Sequence, residues 1–171
     1  MTRKKFAGAA ALAAGALVLG AVLGQPGNGR ASGTAPPPPT GCPAGTGPIR
    51  VGSLTPPARL LIQPVGVTPN PVTSSTASIQ LEFLVTACDG RPVAGANLFA
   101  VTIPFNQFAA TEGTTGADGK VTLTQSRLRG FPARTRNQQF LAVFARATKP
   151  GEPILGGVSS RRVISSRVSL G

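Results

Sequence analysis

The sequence predicts an all-β fold, an antiparallel β-sandwich of about seven strands over residues 49–171. Three observations predict it. Apolar and polar residues alternate over Ala77–Ala87, the period of a half-buried strand. Turn chemistry of the Asp-Gly and Pro-Gly kind recurs between short apolar runs. No helical period is sustained past the N-terminal leader, so the remaining chain must bury its apolar residues as stacked sheets.

Residues 1–31 read as an export signal. Arg3, Lys4 and Lys5 make a positive start, Phe6–Leu23 is an uncharged stretch rich in Ala, Gly and Leu, and small residues follow around Gly24 and Ala31. This three-part pattern is that of a secretory signal helix, which is either cut off or kept as a membrane anchor. Thr2-Arg3-Lys4-Lys5-Phe6 has Lys4 where a twin-arginine motif needs its second arginine, so an ordinary basic start is the simpler reading. Residues 32–48 form a linker rich in Pro and Gly, and Pro36–Pro39 favour an extended polyproline spacer.

The strands of the domain 49–171 are read in order. Ile49–Leu54 and Arg59–Val67 are short and apolar, and Pro56, Pro57 and Pro64 confine them to sheet edges. Ala77–Ala87 is the clearest strand. Asp89-Gly90-Arg91-Pro92 then turns the chain. Ala96–Ile103 is a strand stopped by Pro104. Ala117-Asp118-Gly119-Lys120 turns into Val121–Thr124. Phe140–Ala147 is densely apolar, Lys149-Pro150-Gly151 turns again, and Val158–Leu170 closes the chain.

Residues 81–98, LEFLVTACDGRPVAGANL, followed by Thr114-Thr115-Gly116-Ala117-Asp118-Gly119-Lys120-Val121-Thr122, resemble bacterial immunoglobulin-like domains of the invasin and intimin type. They are similar also to the prealbumin-like sandwiches appended to exported surface proteins and carboxypeptidases. The resemblance implies an immunoglobulin-like sandwich with a structural or adhesive role at the bacterial cell surface. Such domains usually occur as repeats, whereas this chain holds one copy.

Cys42 and Cys88 are the only cysteines. In an exported chain an even pair is expected to form a disulfide, worth roughly 3–4.5 kcal/mol by loop closure. The alternative is two separate thiols, with Cys88 a small buried hydrophobe.

The chain carries 17 Lys and Arg against 5 Asp and Glu, with no His. Removing residues 1–31 leaves 13 basic and 5 acidic residues, a net charge of +8. The excess lies late: residues 120–171 hold ten basic residues and only Glu152. Arg127, Arg129, Arg134 and Arg136, with Arg161 and Arg162, are therefore candidate anion-binding residues. Acidic partners would be a wall polymer, an acidic lipid, an acidic protein or extracellular nucleic acid. Nucleic acid is the poorest fit, because Phe131 is the lone aromatic among these arginines and no known module is visible. The competing reading is a solvated basic face that protects sheet edges.

Absent histidine removes Ser-His-Asp and imidazole-metal chemistry. The five acids Glu82, Asp89, Glu112, Asp118 and Glu152 are scattered, and no G-x-S-x-G or S-x-x-K pattern occurs. The sequence therefore predicts a non-catalytic protein with no cofactor, no metal site and no small-molecule substrate. Membrane contact is expected only through an uncleaved leader.

Overall fold

The computed structural model describes residues 37–135 and 137–171. The expected signal helix at 1–31, the start of the linker and Arg136 lie outside the described residues. Ten strands follow in chain order: β1 (Ile49–Arg50), β2 (Leu61–Thr68), β3 (Val72–Thr73), β4 (Ser78–Ala87), β5 (Arg91–Ala94), β6 (Asn97–Ile103), β7 (Thr111–Thr114), β8 (Lys120–Ser126), β9 (Phe140–Thr148) and β10 (Ser160–Ser169). Val51–Ser53, a single 3-10 turn, is the only helical element among the described residues.

The strands form two sheets stacked as a sandwich. In the first, β4 is central: β2 pairs along one side, while β8 and β5 share the other, with β1 beyond β5. The second runs β3-β10-β9-β6-β7. The expected all-β class is present, with two corrections. There are ten strands rather than about seven, because β3, β5 and β7 have four residues or fewer and show no readable period. Pairing is not wholly antiparallel, since β1 runs parallel to β5 and β3 parallel to β10. The expected strand over Ile49–Leu54 survives only as β1, because Val51–Ser53 turns instead.

The alternation in β4 sends Ile79, Leu81, Phe83, Val85 and Ala87 into the core, all fully buried. The second sheet answers with Leu98 and Ala100 from β6 and Leu141, Val143, Ala145 and Ala147 from β9. The alanines leave room for the larger side chains opposite, which is how two flat layers reach native density. Each fully buried Leu, Val or Phe contributes about 1.5–3 kcal/mol.

Both sides of the sandwich are closed. Gly113 of β7 faces β8, where an added Cβ would lie 2.8 Å from Leu123 Cδ2 and 3.0 Å from Val121 Cγ2. On the other side Arg162 of β10 donates to the Ile62 carbonyl of β2 at 2.9 Å, and Arg59 donates to the Gly157 carbonyl at 2.7 Å. Inside, Gln125 of β8 donates to the Ala100 carbonyl of β6 at 2.9 Å, a buried bond between the sheets.

The turns use left-handed backbone where the sequence supplies it. Cys88, Asp89 and Gly90 have φ of 51°, 64° and 85° and carry β4 into β5. Gly119 has φ of 73°, and a Cβ there would sit 2.7 Å from the Val85 carbonyl oxygen. Asp118 Oδ1 accepts from the Lys120 amide at 3.0 Å, the capping expected of that turn.

Cys42 and Cys88 are bridged, with Cα atoms 5.8 Å apart. Arg91 adds two bonds to the same segment, to the carbonyls of Pro43 (2.7 Å) and Gly47 (2.8 Å). Residues 42–48 are thereby fastened to the end of β4 and to β5.

Two substitutions test this account. Gly113→Val should lower the free energy of unfolding by about 1–3 kcal/mol through overpacking against β8, read from denaturant midpoints. Replacing Cys42 and Cys88 together by Ser should cost about 4 kcal/mol, since the bridge closes 46 residues. An unchanged midpoint in either variant contradicts the corresponding contact.

Candidate functional site

The outer faces of the two sheets differ in chemistry. The first sheet presents Gln63 of β2, Gln80 and Glu82 of β4, and Lys120, Thr122 and Thr124 of β8. Lys120 Nζ lies 3.5 Å from Glu82 Oε1, an exposed pair of small energetic value. The face is mostly polar, as an antiparallel sheet normally shows water, although Leu61 of β2 is 53% exposed on it and Leu84 of β4 is half-buried.

The second sheet does not follow that rule. In β9 the residues Leu141, Val143, Ala145 and Ala147 point inward, so Phe140, Ala142, Phe144 and Arg146 point outward. Register then builds rows across the outer face. Arg161 of β10 stands opposite Arg146, which stands opposite Phe99 of β6, which stands opposite Glu112 of β7. The next row is Val163, Phe144 and Val101; the next is Ser165, Ala142 and Ile103; the last is Arg167 and Phe140. Val163 is 61% exposed, Phe140 59% and Ile103 41%, while Phe99 and Phe144 are half-buried. Phe105, just past the end of β6, is 72% exposed. The outer face is an apolar stripe with arginines at both ends.

The electrostatics of the first row are unusual. Two arginines face each other across a strand pair, an arrangement that ordinarily destabilises. Arg146 offsets part of this by placing its guanidinium 5.0 Å from the Phe99 ring centroid. Its Nε is buried without a hydrogen-bond partner. Both ion pairs among the described residues use lysine, Lys120–Glu82 and Lys149–Glu152.

The arginines singled out from the sequence take different roles. Arg161 and Arg162 are adjacent, so strand geometry sends them to opposite faces. Arg161 joins the outer row and reaches the Ile154 carbonyl at 3.3 Å, whereas Arg162 clamps β10 to β2. Arg127 donates to the Ser74 carbonyl at 2.6 Å. Arg129 and Arg134 are exposed on the connection between β8 and β9. That connection is anchored by Phe131, whose ring packs 4.9 Å from Phe108, and by the Gly130 amide on the Asn106 carbonyl at 3.0 Å. Arg136 lies outside the described residues. The five described arginines do not share one face, and on the outer face of the second sheet Arg161 is joined by Arg146 and Arg167 instead.

Two clefts accompany this surface. One of about 400 Å³ sits beside Phe140 and Arg167, with Pro71 and Gln139 on its wall. The other, about 620 Å³, lies at the β1 end among Ile49, Val51, Gly95 and Thr115. Neither is lined by a carboxylate. Glu82 and Glu112 lie on opposite outer faces, and Asp89, Asp118 and Glu152 occupy three separate turns.

The apolar outer residues escaped the sequence reading, although a signal exists. Phe140–Ala147 is apolar at both parities except for Arg146, and so is Leu98–Val101. In an antiparallel sandwich only one parity fills the core, so the other must lie against something else or face water. Compared with family models, curated proteins and solved structures, the chain matches none.

The Arg161–Arg146 pair is open to test. Arg161→Glu turns a like-charge pair into an opposite one and should raise stability by about 0.2–1 kcal/mol at low salt. The gain in melting temperature should shrink as salt is added. A lower melting temperature at low salt would show that the two guanidiniums do not repel across the strands.

Proposed function

We propose that this chain is an exported, non-catalytic immunoglobulin-like domain of the invasin and intimin or prealbumin-like kind, with a structural or adhesive role at the bacterial cell surface. The observation that carries the reading is the Cys42–Cys88 bridge. It joins the segment that follows the proline run to the end of β4, the strand with the most partners in its sheet. Tension along the N-terminal segment is delivered there to a central strand, and it bypasses the two-residue β1. Such an attachment suits a domain held by its N-terminus at a surface. A disulfide also agrees with an oxidising compartment.

A second reading, a polyanion-binding module, is favoured by one observation. Arg129, Arg134 and Arg167 are exposed, and neither ion pair of the described residues includes them. On that reading the basic surface is itself the function.

Intact cells treated with protease, followed by mass spectrometry without reductant, test the first reading. The chain is expected to be cleaved from outside, or recovered from the medium, with its cysteines joined. A protected chain with two free thiols overturns it. The second reading predicts binding to an acidic polymer that falls steeply between about 50 and 200 mM salt. No binding at low salt removes it.

A further inference from the structure

We infer that the outer face of the second sheet is a docking surface for an acidic partner protein, one that lays an apolar strip on Val163, Phe144 and Phe140 and sets carboxylates against Arg161 and Arg146 at one end and Arg167 at the other. The inference rests on the adhesive reading of this chain and names the surface and the partner chemistry.

The geometry is one of charge complementarity around an apolar centre. Arg161 and Arg167 are six residues apart on the same face of β10, about 20 Å. Between them lie Val163 and, across the register, Phe144, with Phe140 opposite Arg167. Val163 and Phe140 are more than half exposed, a cost in water that a covering surface removes. The arginines at the ends are desolvated as the stripe is covered, so they require partners of opposite sign. Arg146, with a buried and unsatisfied Nε beside a second guanidinium, already lacks one.

Other occupants fit less well. A second copy docked about a two-fold axis perpendicular to the strands would bring the arginines at each end onto arginines of its mate. One docked about an axis along the strands would set Arg161 against the mate's Glu112, so a dimer in sedimentation at the titration concentration overturns the inference in favour of self-association. A flexible polyanion would engage the guanidiniums and leave Val163 and Phe144 uncovered. A bilayer is entered by projecting side chains, but Phe144, at the middle of the stripe, is half-buried. A flat protein surface matches both the stripe and its charged ends.

The probe is a blocked peptide, Glu-Thr-Val-Thr-Phe-Thr-Glu, which as a strand presents Glu, Val, Phe and Glu on one face over about 20 Å. It is titrated to millimolar concentration into the full oxidised chain at about 150 mM salt, with binding followed by amide chemical shifts. Shifts are expected on β9 and β10, and the dissociation constant should rise about tenfold or more for Phe140→Ser with Val163→Ser. Val163→Ser alone and Arg161→Gln with Arg167→Gln should each weaken binding, with melting temperatures confirming that the variants are folded. The comparison peptide Glu-Thr-Ser-Thr-Ser-Thr-Glu should bind about tenfold more weakly. Equal binding of the two peptides overturns the inference in favour of a charge-only polyanion site. Stronger sedimentation with phosphatidylglycerol than with phosphatidylcholine vesicles, abolished by Phe140→Ser with Val163→Ser, overturns it in favour of a membrane. No shifts with either peptide overturn it outright. Export and disulfide state are read on cells, so an exported, bridged chain that ignores the peptide sinks this inference alone.

Discussion

The period of two in β4 is the constraint on which the structure depends. Five alternate residues of that strand, Ile79 to Ala87, enter the core, and β2, β5 and β8 all take their register from it. A slip of one residue would expose the five and bury Gln80 and Glu82 in their place. The penalty of burying an unpaired carboxylate makes that slip prohibitive. The bridge at Cys88 then fixes the end of the same strand to the chain that precedes β1. Core, register and attachment thus converge on one element.

Arginine does structural work here that composition alone would assign to ligand binding. Arg59, Arg91, Arg127 and Arg162 donate to the carbonyls of Gly157, Pro43 and Gly47, Ser74, and Ile62. These acceptors lie in loops and at a sheet edge, where no ladder neighbour satisfies them. A chain rich in Gly and Pro has many such carbonyls, and the guanidinium supplies several donors in a planar fork on a long stem. With few carboxylates to pair, arginine stabilises this protein mainly by bonding backbone. Arg50, Arg129, Arg134 and Arg167 are exposed and make no such bond, and Arg161 reaches only the Ile154 carbonyl at 3.3 Å, so these residues carry most of the outward charge among the described arginines.

The two outer faces divide the sandwich into a solvated side and a sticky one. Threonines and a Lys–Glu pair cover most of the first sheet, where Leu61 is the large apolar residue more than half exposed. On the second, Phe99, Val101, Phe144 and Val163 pack on one another in rows and still leave apolar surface exposed. The basic ends of the stripe oppose two copies closing with their strands crossed end over end, and favour a covering surface that carries carboxylates.

The long strands, their turns and the cysteine pairing were legible in the sequence, because each is a local property. Alternation at Ala77–Ala87, the Asp-Gly pairs and the even cysteine count need no knowledge of distant residues. Strands as short as β3, β5 and β7 were not legible, since two to four residues carry no period and exist only where a longer strand offers an open edge. Nor could the sequence say what its arginines do. Arg161 and Arg162 read as one cluster, yet register to β9 turns one outward and sends the other to Ile62, 100 residues away. Tertiary structure decided that one parity of β9 fills the core while the other, marked in the sequence by Arg146 alone, stays outside as the apolar stripe, because every other residue of Phe140–Ala147 is hydrophobic and only packing against the opposite sheet separates the two.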